Sequence, residues 1–203
     1  GTMGNLAAIM AHARQGEQAI VGYDTHAISW EAGGMSALGG VVPRTLPTDE
    51  QGRMSIAGIE GAISGDDVHL PPSRLILLEN SYGEKSGYPI APDYFAAVRE
   101  VADRHNLRVH MDGARLFNAA VAQNIAATAI TQHVDSVTFC LSKGLCAPVG
   151  SVLCGSASFI RRAHRVRKLL GGGMRQAGAL AAAGLVALEE MVERLADDHA
   201  NAQ

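Results

Sequence analysis

A carboxylate and an amine each stand at the end of an apolar run. Asp112 closes Leu107 to Met111 (LRVHM), and Lys143 follows Val134 to Leu141. If both runs are strands of an open α/β sheet, the two groups sit at the carboxyl edge, where ligands gather. One reading is a plain ion pair, since structural pairs also occupy strand ends. The other is pyridoxal phosphate (PLP) chemistry, which needs both groups. An amine captures the cofactor aldehyde. A carboxylate keeps the pyridine nitrogen protonated, which makes the ring a better electron sink. The third requirement is a phosphate cup. Gly1-Thr2-Met3-Gly4-Asn5 leads directly into a helix, whose free N–H groups and dipole suit an anion, with the Thr2 hydroxyl as a further donor. Taken alone, that string is more often an ordinary glycine turn before a helix.

The elements that must position these groups alternate in type, which predicts an α/β fold with a mostly parallel central sheet flanked by helices. Strands are expected at Gln18 to Tyr23, Val41 to Leu46, Arg74 to Glu79, Leu107 to Met111 and Val134 to Leu141. Val149 to Cys154 reads as a hairpin-like neighbour of the last. Helices are expected at Asn5 to Arg14, Ser29 to Leu38, Ser55 to Ile63 with Ser55 as N-cap, Pro92 to His105, Leu116 to Gln123, Ala157 to Leu169 and Gln176 to Leu195. Pro92 suits a first turn, and Phe95, Val98 and Ala102 share one face opposite Arg99, Glu100 and Asp103. Ala177 to Val192 reads as a packed helix. Residues 1–170 are expected to form a large domain and 171–203 a helix leading toward a further C-terminal domain, with both ends of the chain cut.

At 203 residues and nearly half hydrophobic, the chain is long enough for a sizeable core. A net charge of −3 gives no reason to expect nucleic acid or an anionic membrane as partner. No apolar run is long enough to span a bilayer. Cys140, Cys146 and Cys154 are odd in number and have no histidine at zinc-ligand spacing, so neither a disulfide framework nor a metal site is expected. A reducing, cytoplasmic setting is the simplest reading.

Four strings in order, GTMGN, HMDGARLFNA (His110 to Ala119), LSKGLCAPVGS (Leu141 to Ser151) and GGGMRQAG (Gly171 to Gly178), closely resemble the low-specificity L-threonine aldolases. These are PLP enzymes of the aspartate-aminotransferase-like fold (fold type I), grouped with the β-eliminating lyases. The resemblance implies Lys143 as the Schiff-base lysine, Asp112 as partner of the pyridine nitrogen, and Gly1 and Thr2 as the phosphate cup. It implies that Arg115 holds the substrate carboxylate, a task its planar fork suits. His26, in YDTHAISWEAGG, is implied to stack on the cofactor ring near the substrate hydroxyl, with Asn5 and Glu31 in support. Lys168 and Arg175 resemble basic residues that reach a phosphate across a subunit interface, in a homodimer or homotetramer. From the residues alone, His26 is also an ordinary loop histidine, Arg115 also a helix cap or a partner of Asp112, and Lys168 also part of a solvated face in RRAHRVRK.

The chain departs from the family at Tyr82, where many members have the histidine of ENTH. A phenol, with an ordinary pKa of about 10, is a poor base near neutrality. Cys146 stands where glycine is common. The implied activity is reversible cleavage of L-threonine or L-allo-threonine to glycine and acetaldehyde. The alternatives are a PLP lyase of the same fold acting by β-elimination or on another β-hydroxy amino acid such as phenylserine, and a non-catalytic α/β domain. A nucleotide-binding Rossmann protein is disfavoured, because no glycine fingerprint links a first strand to a helix.

Overall fold

The computed structural model describes residues 1–202. Its centre is a six-stranded sheet: β1 (Gln18–Gly22), β2 (Val42–Leu46), β3 (Ser73–Glu79), β4 (Arg108–Asp112), β5 (Ser136–Cys140) and β6 (Ser151–Gly155). The spatial order is β2-β1-β3-β4-β5-β6. All pairings are parallel except β5 with β6, which is antiparallel. The mostly parallel sheet and the antiparallel neighbour at Val149 to Cys154 are thus present, with ends shifted by a residue or two.

Both faces of the four central strands are covered, while the edge strand β2 is exposed. On one side pack α4 (Ile56–Gly61), α5 (Pro92–Arg104), α6 (Leu116–Ala122) and α7 (Ala127–Thr131). Ser55 caps α4 by accepting the Gly58 N–H, and Pro92 opens α5. The buried Phe95, Val98, Val101 and Ala102 of α5 meet Ile76, Leu78, Val109 and Met111. Each large apolar side chain buried there contributes about 1.5–3 kcal/mol. On the other side lies α1 (Thr2–His12), with α8 (Ala157–Leu169) outside it through Phe159 and Ala163 against Ala8 and Ala11.

β4 and β5 are buried on both faces yet alternate in polarity. Val109, Met111, Val137 and Phe139 enter the larger core, whereas the buried His110, Asp112, Ser136 and Thr138 take the other positions. That second set meets α1, whose Asn5 contacts both Asp112 and His110 and whose His12 contacts Ser136. The end of the sheet under α1 is therefore a polar layer.

Three helix expectations need correction. Ser29 to Leu38 is not one helix but parts of two short ones, α2 (His26–Ser29) and α3 (Gly34–Ala37), because Ala32 and Gly33 both take positive φ and turn the chain. Gln176 to Leu195 is likewise divided, into α9 (Gly178–Glu190) and α10 (Leu195–Asn201). The stretch Ala177 to Val192 is not packed all round: Gly184 and Ala187 are buried, but Leu185 and Val186 are more than half exposed. Leu195 turns back into the core, and α10 packs against α6.

Candidate active site

The carboxyl ends of β3 and β4 each finish on a buried acid, and the two are register partners, Glu79 beside Asp112. Asp112 accepts the Ala114 N–H at 3.1 Å on Oδ1 and the Asn5 amide at 2.7 Å on Oδ2. Glu79 accepts the His26 N–H at 2.7 Å and the Gly83 N–H at 2.8 Å. Burial pushes the Glu79 carboxyl up to about 7; the negative charge of Asp112 adds to this, and the two N–H donors oppose it.

His26 opens α2 with its ring half exposed, and Nδ1 lies 3.0 Å from Glu31 Oε1. Glu31 is buried and shares the Asn5 amide with Asp112, at 2.9 Å. Burial raises the Glu31 carboxyl above the usual carboxylate range. Ligand atoms of His26, Glu31 and Asp112 lie within 4.8 Å of one another, a spacing that also suits a metal ion. Here, however, the Asn5 N–H donors already engage an oxygen of each carboxylate.

Lys143 lies in the loop between β5 and β6. Its carbonyl accepts the Cys146 N–H at 2.9 Å, and Leu141 closes the loop through Gly150 and Ala147. Buried Leu145 and Ala147 anchor this loop. The Lys143 side chain is exposed and has no carboxylate within ion-pair distance among the described residues. The ion pair with Asp112 considered from the sequence is therefore not made.

The first turn of α1 rests on the end of β5. A Cβ on Gly1 would stand 3.5 Å from Cys140 Sγ, and one on Gly4 would fall 2.8 Å from Thr138 Cγ2, so Gly4 permits the close approach. Gly1 is the N-cap and Thr2 is exposed. The first N–H groups of such a helix have no intrahelical acceptor. Arg115 is exposed at the start of α6, three positions after Asp112, and pairs with no carboxylate among the described residues. The structure thus brings together Asp112, His26, Asn5 and Glu31, with the Gly1–Thr2 turn at the strand end that leads to Lys143.

Two groups stand apart. Lys168 and Arg175 share a cleft of about 390 Å³ with His164, Arg165 and Arg167. The adjoining glycine run reaches α1 only at Gly172, whose Cβ position abuts the Met3 sulfur. Tyr82 is a core residue: it is 1% exposed, and its hydroxyl donates to Asp24 Oδ1 at 2.6 Å. Burial and the Asp24 carboxylate raise its phenol far above the ordinary value. Sequence reading passed over Glu79, although the rule that singled out Asp112, an acid closing an apolar strand, applies equally to RLILLE.

The beta-eliminating lyase family model matches residues 1–203. Low-specificity L-threonine aldolase 1 of Arabidopsis thaliana is 47% identical over 206 residues, covering 100% of this chain and 58% of that protein. The low specificity L-threonine aldolase of Escherichia coli (strain K12) is 44% identical over 202 residues, covering 100% of this chain and 60% of that protein. The chain therefore spans about three fifths of the length of these curated relatives. Among solved structures, Leishmania major threonine aldolase superposes with a TM-score of 0.80 at 21% identity, covering 95% of this chain and 56% of that one. A PLP-dependent aminotransferase from Streptococcus suis gives 0.67 at 14%, covering 94% and 49%. At such identities these two likenesses speak for the fold, that of the fold type I enzymes.

Proposed function

Since the chain belongs to the beta-eliminating lyase family, we propose that the whole protein is a PLP-dependent aldehyde-lyase. It cleaves L-threonine or L-allo-threonine reversibly to glycine and acetaldehyde. The observation that carries this reading is the whole-chain similarity to low-specificity L-threonine aldolases, at 44% and 47% identity.

The residues fit the cofactor. Asp112 has two oxygens and, among the described residues, two donors on them, which leaves acceptor capacity for a pyridinium N–H. The α1 N-terminus, with Gly1 and Thr2, offers unsatisfied N–H groups to a phosphate. Lys143 offers an amine unclaimed by any carboxylate among the described residues, which would hold the cofactor through its aldehyde. When bound, PLP supplies an aldehyde that captures the substrate amine and a ring that accepts electrons from Cα.

The protein's own part follows from its side chains. Arg115 holds the substrate carboxylate by a bidentate pair, which orients the bond to be broken. His26 would stand against the cofactor ring, where its Nε2 could take the β-hydroxyl proton while Glu31 fixes the imidazole through Nδ1. Tyr82, buried and spent on Asp24, supports the scaffold rather than moving a proton. Glu79 anchors the His26 backbone. Lys168 and Arg175 reach a phosphate across the interface of a homodimer or homotetramer. Free Cys140, Cys146 and Cys154 suit a reducing cytoplasm. Residues 1–170 form the cofactor domain, and 171–203 lead toward a C-terminal one.

The test uses the full-length protein with PLP. Borohydride is expected to fix the cofactor on Lys143, and threonine to yield glycine rather than 2-oxobutyrate and ammonia. Lys143→Ala is expected to abolish turnover. Label on another lysine, or 2-oxobutyrate as product, overturns the assignment.

A further inference from the structure

We propose that Asn5 is a positioning residue for Asp112, and that His110, Ser136 and His12 form a one-way hydrogen-bond chain that fixes which way the Asn5 amide points. The inference rests on the reading of Asp112 as the partner of the cofactor's ring nitrogen.

Asn5 has no exposed surface, and its amide nitrogen spends both hydrogens on carboxylates, Asp112 Oδ2 at 2.7 Å and Glu31 Oε1 at 2.9 Å. Its Oδ1 faces His110 Nε2 at 3.5 Å. A flipped amide would aim its oxygen between two carboxylates. The opposite face settles the direction. An amide oxygen only accepts, so His110 Nε2 carries the hydrogen, with Thr138 Oγ1 at 3.4 Å as a second acceptor. His110 Nδ1 is then bare and accepts the Ser136 O–H at 2.8 Å. The Ser136 oxygen in turn accepts from His12 Nε2 at 2.7 Å. This leaves His12 Nδ1 as a lone pair, and that atom is a buried nitrogen with no partner among the described residues. Burial holds His12 down to about 4 and His110 down to about 3, so both rings stay neutral at physiological pH and the chain does not reverse.

Asn5 and His12 are seven residues apart on α1, two helical turns, which places both on the face toward β4 and β5. Without the Asn5 amide, Asp112 Oδ2 would lose its donor, and the carboxylate, held then by the Ala114 N–H on Oδ1, would be free to turn away from the ring nitrogen.

The experiment compares full-length wild type with Asn5→Ala for apparent affinity toward PLP and toward 1-deaza-PLP, in which carbon replaces the ring nitrogen. Wild type is expected to bind PLP more tightly than the analogue. Asn5→Ala is expected to weaken PLP about tenfold, the worth of one hydrogen bond to a charged group, and to change the analogue less than about twofold. Equal weakening of both cofactors makes Asn5 merely structural and overturns the proposal. Equal affinity for both in wild type instead sinks the reading of Asp112 itself. Should Asn5→Ala not fold, ¹⁵N imidazole spectra of cofactor-free wild type decide the matter. Neutral Nε2–H tautomers at His110 and His12 between pH 5 and 8 are expected, and an Nδ1–H tautomer at His110 overturns the chain.

Discussion

Glu79 Oε2 accepts the backbone N–H of His26 at 2.7 Å, so the last residue of β3 holds the first residue of α2 in place. Burial raises the Glu79 carboxyl from 4.5 to about 7. In this window the folded state keeps a proton that the unfolded chain has already released. The contribution is therefore fully present below pH 4.5 and is lost as pH rises through about 7, a change of about 3 kcal/mol at most. His12 and His110, lowered from 6.5, act with the opposite sign below that pH, so the diagnostic is a difference. Glu79→Gln removes the titration. Urea unfolding between pH 5 and 8 is expected to show stability falling with pH more steeply in wild type than in the variant. Parallel curves would assign the titration elsewhere.

Tyr82 is expected to matter for stability more than for turnover. Its ring lies where a side chain on Gly52 would be: a Cβ there would come within 2.1 Å of it, and Gly52 has φ +81°. Its hydroxyl is bound to Asp24, which also holds the Thr48 hydroxyl at 2.9 Å and Lys85 at 3.7 Å. Tyr82→Phe is expected to cost about 1–2 kcal/mol, the value of one buried hydrogen bond to a charge, and to leave kcat within about twofold. Gly52→Ala is expected to cost more, since the ring must move. A fall in kcat of about a hundredfold in Tyr82→Phe at unchanged stability would return the phenol to the chemistry.

Much of the scaffold was legible because strands alternate with helices along the chain, β3 carries the continuous apolar run LILL, and Pro92–Arg104 is strongly two-faced. The site was legible in outline because its groups sit at strand ends and at a helix start. What escaped depends on side chains meeting across the sheet. Nothing near Asn5 in the chain reveals that it joins Asp112, 107 positions away, to Glu31, 26 positions away. One signal was present and unread: VHMD and SVTF alternate polar and apolar residues inside fully buried strands, which requires a polar layer on one face. Ala127–Thr131 was missed because a helix of five residues carries too little periodicity. Tyr82 read as a site residue because it stands where the resembling family has the histidine of ENTH, whereas its side chain points into the core.

Cys146 takes φ +59° in the turn that follows Lys143, donating its N–H to the Lys143 carbonyl. A side chain in the left-handed region costs about 1–2 kcal/mol, and glycine there is free of that strain but loses more freedom on folding. The thiol returns little, since it is exposed and donates a weak 3.4 Å hydrogen bond to the Gly144 carbonyl. Cys146→Gly is therefore expected to stabilise the protein by about 0.5–1 kcal/mol, with Cys146→Ala near neutral. Cys146→Val is expected to destabilise, because a β-branched side chain tolerates positive φ least. Turnover in the glycine variant is expected to stay within about twofold of wild type, since the carbonyl–amide closure of the turn survives. Denaturant unfolding of the three variants ranks them, and glycine less stable than alanine would show that the left-handed turn is not the strained element of the lysine loop.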